Sequence, residues 1–178
     1  MKQTTRRTVL TGLFGASVGA GFLVPAQATA SRALAFKHTH TGGKLDLVYA
    51  EAGDYLPDAL RAIDSFLKDF RTGDMHPIDR TLLDALYQLA DLFDHPGEFQ
   101  VISGFRSPKT NAQLRKKSGG VAKKSYHMQG RAIDVRLTGA RTADLAKAAR
   151  SLNVGGVGFY PRSDFIHLDT GPVRSWGG

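Results

Sequence analysis

Two short segments constrain the fold of this chain more than any others. Ala132 to Leu137 reads AIDVRL, and Phe165 to Asp169 reads FIHLD. Apolar residues fall at every second position, so each segment is a strand with one face turned to a core. Ile133, Val135 and Leu137 form that face in the first strand; Ile166 and Leu168 form it in the second. The opposite faces carry Ala132, Asp134 and Arg136, and Phe165, His167 and Asp169, and so look onto a cleft or solvent. His127 lies upstream in a loop that turns at Gly130 and can return its imidazole to the side of Asp134. Two histidines and one aspartate with a fourth position open are the donors of a catalytic kind of zinc site, where a bound water reaches a pKa of about 7. Spacing alone does not select that reading, because a His and an Asp seven residues apart are common and a solvated His is the ordinary alternative.

The first thirty residues do not read as part of this fold. Lys2, Arg6 and Arg7 precede an apolar, glycine-rich run from Val9 to Val24, and Pro25 is followed by Ala28-Thr29-Ala30. Charged start, apolar stretch and small-residue cleavage site are the parts of an export signal. The Arg6-Arg7 pair, flanked by Thr5 and Val9-Leu10, resembles a twin-arginine signal, a route for exporting folded proteins. The expected division is 1–30 as signal peptide and 31–178 as one domain. The leader holds three of the 24 basic residues and none of the 16 acidic ones, so its removal lowers the formal net charge from +8 to +5. With no cysteine in 178 residues, thiolate zinc sites, iron–sulfur clusters, thiol catalysis and disulfide scaffolds are excluded.

The rest of the chain reads as helices first, then strands mixed with helices. Residues 31–44 look like a loose polar lead-in. Lys44 to Ala50 is a strand. Leu56 to Phe70 is an amphipathic helix with Pro57 near its start and Leu60, Ile63, Phe66, Leu67 and Phe70 at helical spacing. A second helix runs from about Pro77 to Phe93 and stops at His95-Pro96-Gly97. Phe99 to Ser103 is a buried strand. Ser107-Pro108 caps a helix to Leu114, Gly119-Gly120 ends it, and Thr142 caps another to about Leu152. Gly155 to Tyr160 is a strand joined to Phe165–Asp169 by a turn at Pro161. These elements predict one α+β domain with a small, mostly antiparallel sheet and packed helices.

Longer motifs decide between the metal reading and its alternative. Ser125-x-His127-x-x-Gly130-x-Ala132-x-Asp134, followed by Asp164-x-x-His167, resembles the zinc D-Ala-D-Ala peptidase family, which includes VanX-type dipeptidases and penicillin-insensitive carboxypeptidases. Ser103-Gly104-Phe105-Arg106-Ser107 matches a further family element. A closer likeness is to a branch of murein endopeptidases, the MepK (YcbK-like) proteins. It is carried by the twin-arginine leader, His76-Pro77-Ile78-Asp79, Gly155 to Pro161 (GGVGFYP) and His167 to Trp176 (HLDTGPVRSW), and spans essentially the whole chain.

The resemblance implies a hedgehog/DD-peptidase-like domain holding one zinc ion through His127, Asp134 and His167. It places Arg106 beside the site, to hold a substrate carboxylate or polarise the scissile carbonyl; a structural ion pair is the alternative. The wider family's general base is a Glu three residues before the last ligand, a position taken here by the shorter Asp164. Asp169 is the other candidate base, or a partner that orients a ligand histidine. The family often has a further His two residues before the last ligand, and here Phe165 stands there. Lys123, Lys124 and Ser125, with Arg115, Lys116 and Lys117, form either an electrostatic rim for an anionic polymer or a solvated basic loop. His38, His40, His76 and His95 are expected to do no chemistry.

The function implied is an exported, periplasmic, monomeric zinc endopeptidase acting on peptidoglycan cross-links, without a membrane anchor after signal removal. The bond would join D-Ala to diaminopimelate or two diaminopimelates. Alternatives are a D,D- or L,D-carboxypeptidase trimming stem peptides, or a non-catalytic zinc-containing wall-binding module. Nucleic acid is not expected as a partner: charge alone points to it, no basic motif interleaved with aromatics supports it, and the export signal opposes it.

Overall fold

The structure is a computed structural model that describes residues 31–93 and 97–177. The export-signal reading of 1–30 and the His95-Pro96 helix stop lie outside the described residues. An eight-stranded sheet has the order β3-β2-β1-β4-β5-β7-β6-β8. Its strands are β1 (Arg32–His38), β2 (Lys44–Glu51), β3 (Asp54–Tyr55), β4 (Phe99–Ser103), β5 (Ala132–Leu137), β6 (Gly156–Tyr160), β7 (Phe165–Asp169) and β8 (Arg174–Gly177). The pairs β1–β4 and β6–β8 are parallel and the others antiparallel. This is the α+β architecture expected, with a wider sheet than the strands read from the sequence would form.

The helices are α1 (Pro57–Phe66), α2 (Arg80–Asp91), α3 (Pro108–Lys117) and α4 (Thr142–Ser151). Helix α1 packs on β2, α2 on β1, and α4 on β5, β6, β7 and α2. Between them lies a core of fully buried side chains, among them Phe36, Tyr49, Ile63, Leu82, Leu86, Phe99, Ile133, Leu145 and Ile166. The apolar faces expected for β5 and β7 are there: Ile133, Val135, Ile166 and Leu168 have no measurable exposure.

Several expectations change, among them the cap of α4: Thr142 is its first residue, and its hydroxyl bonds Asp164 rather than the helix backbone. Residues 31–44 are not a loose lead-in, because Leu34 and Phe36 alternate into the core and β1 pairs with both β2 and β4. Helix α1 ends at Phe66 rather than Phe70, because the chain then turns around Asp69, whose carboxylate accepts the Arg71 N–H, and Gly73 at φ 79°. Helix α2 begins after Asp79, whose carboxylate accepts the Thr81 N–H at 3.0 Å, and not at Pro77. Ser107 caps α3 as expected, accepting the Thr110 N–H at 3.2 Å.

Candidate metal centre

Sheet register builds the site. Strands β5 and β7 pair so that Asp134 stands directly opposite His167, with Ala132 opposite Asp169. The polar faces of the two strands thereby become one surface. His127 arrives from a short 3-10 turn, Tyr126–Gln129, closed by Gly130 at φ 64°. A side chain at Gly130 would collide with the Pro77 carbonyl as well as strain the left-handed backbone, so this turn needs glycine.

Three atoms converge. His127 Nε2 is 3.2 Å from Asp134 Oδ1 and 3.2 Å from His167 Nδ1, and His167 Nδ1 is 2.9 Å from Asp134 Oδ1. The outer nitrogens fix which ring atoms face inward. His127 Nδ1 is 2.7 Å from the Gly104 carbonyl, which can only accept, so Nδ1 carries the hydrogen and Nε2 presents its lone pair. His167 Nε2 is 2.9 Å from Asp169 Oδ2 and donates to it, leaving Nδ1 as the inward lone pair. Backbone carbonyl and carboxylate are the partners that orient metal-bound histidines. Two imidazole lone pairs and a carboxylate oxygen pointed at one another call for a cation between them. Tetrahedral zinc with bonds of about 2.0–2.2 Å sets its donors about 3.3–3.6 Å apart, a few tenths of an ångström wider than the 2.9–3.2 Å here. The donor set therefore fits the group.

The electrostatics agree. Burial lowers the pKa of His127 and keeps it neutral. At Asp134 burial opposes ionisation, but its close polar contacts with His127 and His167 outweigh it and hold the carboxyl well below the usual range. At Asp169 hydrogen bonds from His167, Arg174 and the Gly171 N–H likewise overcome burial. Burial would lower the pKa of His167, but the hydrogen bonds it can donate to Asp134 and Asp169 prevail and raise it; a cation at Nδ1 would take the place of that proton.

The group opens into a cavity of about 470 Å³. Arg106 lines it, with Nη2 2.8 Å from Asp134 Oδ2 and Nε 3.1 Å from Ser103 Oγ. Asp69 fixes the approach to Arg106 by accepting both the backbone N–H and the hydroxyl of Ser107, at 2.9 and 2.7 Å. The family model for peptidoglycan L,D-endopeptidase MepK matches residues 26–176. The chain belongs to the MepK family. The peptidoglycan L,D-endopeptidase MepK of Escherichia coli strain K12 is 41% identical over 180 residues, covering 98% of this chain and 99% of that protein. The probable peptidoglycan L,D-endopeptidase MepK of Haemophilus influenzae is 43% identical over 148 residues, covering 83% of this chain and 80% of that one.

Within this MepK-family site, His127, Asp134, His167, Arg106, Asp169, Lys124 and Ser125 all line the cavity. Lys123 is exposed and does not line it, and Arg115, Lys116 and Lys117 occupy the last turn of α3. Asp164 is not brought to the group. It sits in the β6–β7 turn at φ 52°, where its carboxylate accepts from the Thr142 hydroxyl and, at 3.0 Å, from Arg136 Nη1. Those partners lower its pKa, and its side chain is 60% exposed. Asp169 has no exposure, and its oxygens are occupied by His167, Arg174 and the N–H groups of Gly156 and Gly171. It is an orienting partner in this geometry.

Sequence reasoning did not single out Tyr160, Arg174 and Trp176, which also line the cavity. Arg174 bonds both oxygens of Asp169, at 3.1 and 2.6 Å. The Trp176 ring lies 5.3 Å from that of His167. All three stood inside the GGVGFYP and HLDTGPVRSW segments. Their roles depend on the parallel pairing of β6 with β8, which no local pattern announces.

Proposed function

We propose that this chain is a metal-dependent endopeptidase of peptidoglycan cross-links, with zinc held by His127 Nε2, Asp134 Oδ1 and His167 Nδ1. The observation that carries this reading is the convergence of those three atoms in an open cavity, each histidine oriented by an outer acceptor. Zinc bound there supplies Lewis acidity, which polarises a carbonyl and acidifies water. The protein's own groups do the rest. Asp134 divides its oxygens, Oδ1 toward the metal position and Oδ2 toward Arg106, so the guanidinium is locked beside the reacting bond. Arg106 keeps Nη1 for the substrate, to bind a carboxylate or the scissile carbonyl. Asp169 holds the His167 tautomer, and Arg174 holds Asp169.

The cavity's carboxylates, Asp134 and Asp169, are both engaged, and Arg106, Lys124 and Arg174 give its wall a cationic character. Such a wall suits the free carboxylates of peptide stems. The L,D in the relatives' names favours the bond between two diaminopimelates, which runs from an L to a D centre. We further propose that residues 1–30 export the folded chain by the twin-arginine route to the periplasm and are then removed, and that the mature chain is a monomer. Among the described residues no helix is long and apolar enough to cross a membrane.

Defined muropeptide dimers test the bond assignment. The zinc-loaded protein should convert dimers joined through two diaminopimelates to monomers and leave D-Ala–diaminopimelate dimers intact. Loss of a terminal D-Ala with cross-links preserved would identify a carboxypeptidase instead.

A further inference from the structure

Besides Arg106 Nη1, the cavity holds a second hydrogen-bond donor that the metal and carboxylate network does not use. On β6, Gly156, Gly158 and Tyr160 share the face that looks onto the site, and Gly158 stands opposite His167. Gly158 also pairs with Trp176 of β8. Having no side chain, Gly158 lets the indole lie across it; a Cβ there would come within 2.6–2.7 Å of the ring. The indole so seated reaches both neighbours. Its ring is 5.3 Å from His167, and its Nε1 is 2.9 Å from Tyr160 Oη.

That last contact has a fixed polarity. An indole N–H can only donate, so Tyr160 Oη is the acceptor and its own hydrogen is directed elsewhere. Among the described residues the Tyr160 hydroxyl donates to no protein group. The phenol ring is clamped on its other side by Phe165, stacked at 4.7 Å and 20°. Arg106, by contrast, commits Nε and Nη2 to Ser103 and Asp134, and Arg174 commits both terminal nitrogens to Asp169.

We propose that Tyr160 is a catalytic residue that donates a hydrogen bond to the carbonyl oxygen of the scissile peptide as charge develops on it, and that Trp176 is its positioning residue. The proposal rests on the peptidase reading above. Tyr160 keeps its proton throughout: it stabilises the oxyanion and transfers nothing. A donor aimed before the reaction begins costs no reorganisation at the moment of reaction, which is why such groups act mainly on kcat. Phe165, which replaces the family's frequent histidine, thereby has a use as the platform that holds the phenol.

The test compares zinc-loaded wild type, Tyr160→Phe and Trp176→Phe. The readouts are metal content, kcat and KM on a cross-linked muropeptide dimer, and affinity for a phosphinate pseudopeptide that mimics the tetrahedral state. Tyr160→Phe should keep one metal per chain and a KM near wild type. Its kcat should fall roughly 10²–10³-fold, with a matching loss of phosphinate affinity. Trp176→Phe, which removes the orienting N–H, should show a smaller loss confined to kcat. A Tyr160→Phe variant with wild-type kcat, or one that loses only KM, would overturn the proposal while leaving the peptidase reading intact. A metal-loaded wild type that cleaves no dimer would overturn the peptidase reading, and the role of Tyr160 with it.

Discussion

Asp134 and His167 face each other across the β5–β7 pair, with Asp134 Oδ1 2.9 Å from His167 Nδ1. His127 completes the triangle from outside the sheet. The two sheet-borne donors are held by ladder hydrogen bonds and the core beneath them, so their spacing is fixed before any ion arrives. Removal of a donor should therefore abolish binding and leave the fold in place. His127→Ala, Asp134→Ala and His167→Ala should each lose stoichiometric zinc and lower kcat/KM by more than about 10³-fold. Asp169→Asn, which puts an amide NH2 in place of one of the oxygens shared among His167, Arg174 and two backbone N–H groups, should weaken metal affinity about 10–100-fold. Isothermal titration of the chelated protein reads both.

Asp164 tests a different point. Its carboxylate serves Thr142 and Arg136, so Asp164→Asn should keep kcat within about threefold of wild type and cost at most about 1 kcal/mol of stability, as exposed pairs do. A hundredfold loss of kcat at unchanged melting temperature would restore Asp164 as the proton acceptor.

Asp69 gives the fold an acid limit. Burial opposes its charge, but hydrogen bonds from the Ser107 hydroxyl and N–H and from the Arg71 N–H lower its pKa to about 2, below the reference value of 3.8. A carboxyl more acidic in the folded state contributes stability that is complete above the unfolded pKa. That contribution is lost as pH falls from about 4 towards 2. Asp69→Asn should thus lose stability at neutral pH and show a flatter stability profile across that window. Denaturant melts at pH 7, 4 and 2.5 check the slope.

Trp176 is the only tryptophan in the chain, and it sits against His167. Intrinsic fluorescence is therefore a site reporter, and titration with zinc should change its intensity with a stoichiometry of one. Gly158→Ala forces the indole from its seat, a form of overpacking that costs about 1–3 kcal/mol. Its emission should shift red and its kcat should fall, with the three metal ligands still able to bind zinc.

What could be read from the sequence divides by the range of the interactions involved. Strands Phe99–Ser103, Ala132–Leu137 and Phe165–Asp169 are legible to the residue because short apolar or alternating runs are bounded by turn residues. The converging group His127, Asp134 and His167 is legible because its residue types and spacing fit a family motif. Strand β1 is hidden because Arg32, Lys37 and His38 mask the two apolar residues that alternate within it. Strand β8, RSWG, has no apolar period and exists through its pairing with the glycines of β6. Asp164 has the right spacing for a proton acceptor, but spacing does not report the left-handed backbone at 164 that turns it to Arg136. The Tyr160–Trp176 contact joins residues on two strands whose parallel pairing only the folded sheet reveals.

One measurement bears most directly on the central claim. Cross-linked muropeptide dimers are incubated with the purified protein after chelation and again after reloading with one equivalent of zinc, and the products are separated. The account predicts intact dimers with the chelated protein and conversion to monomers with the reloaded one. Equal conversion in both samples, or intact dimers with zinc bound, would contradict it.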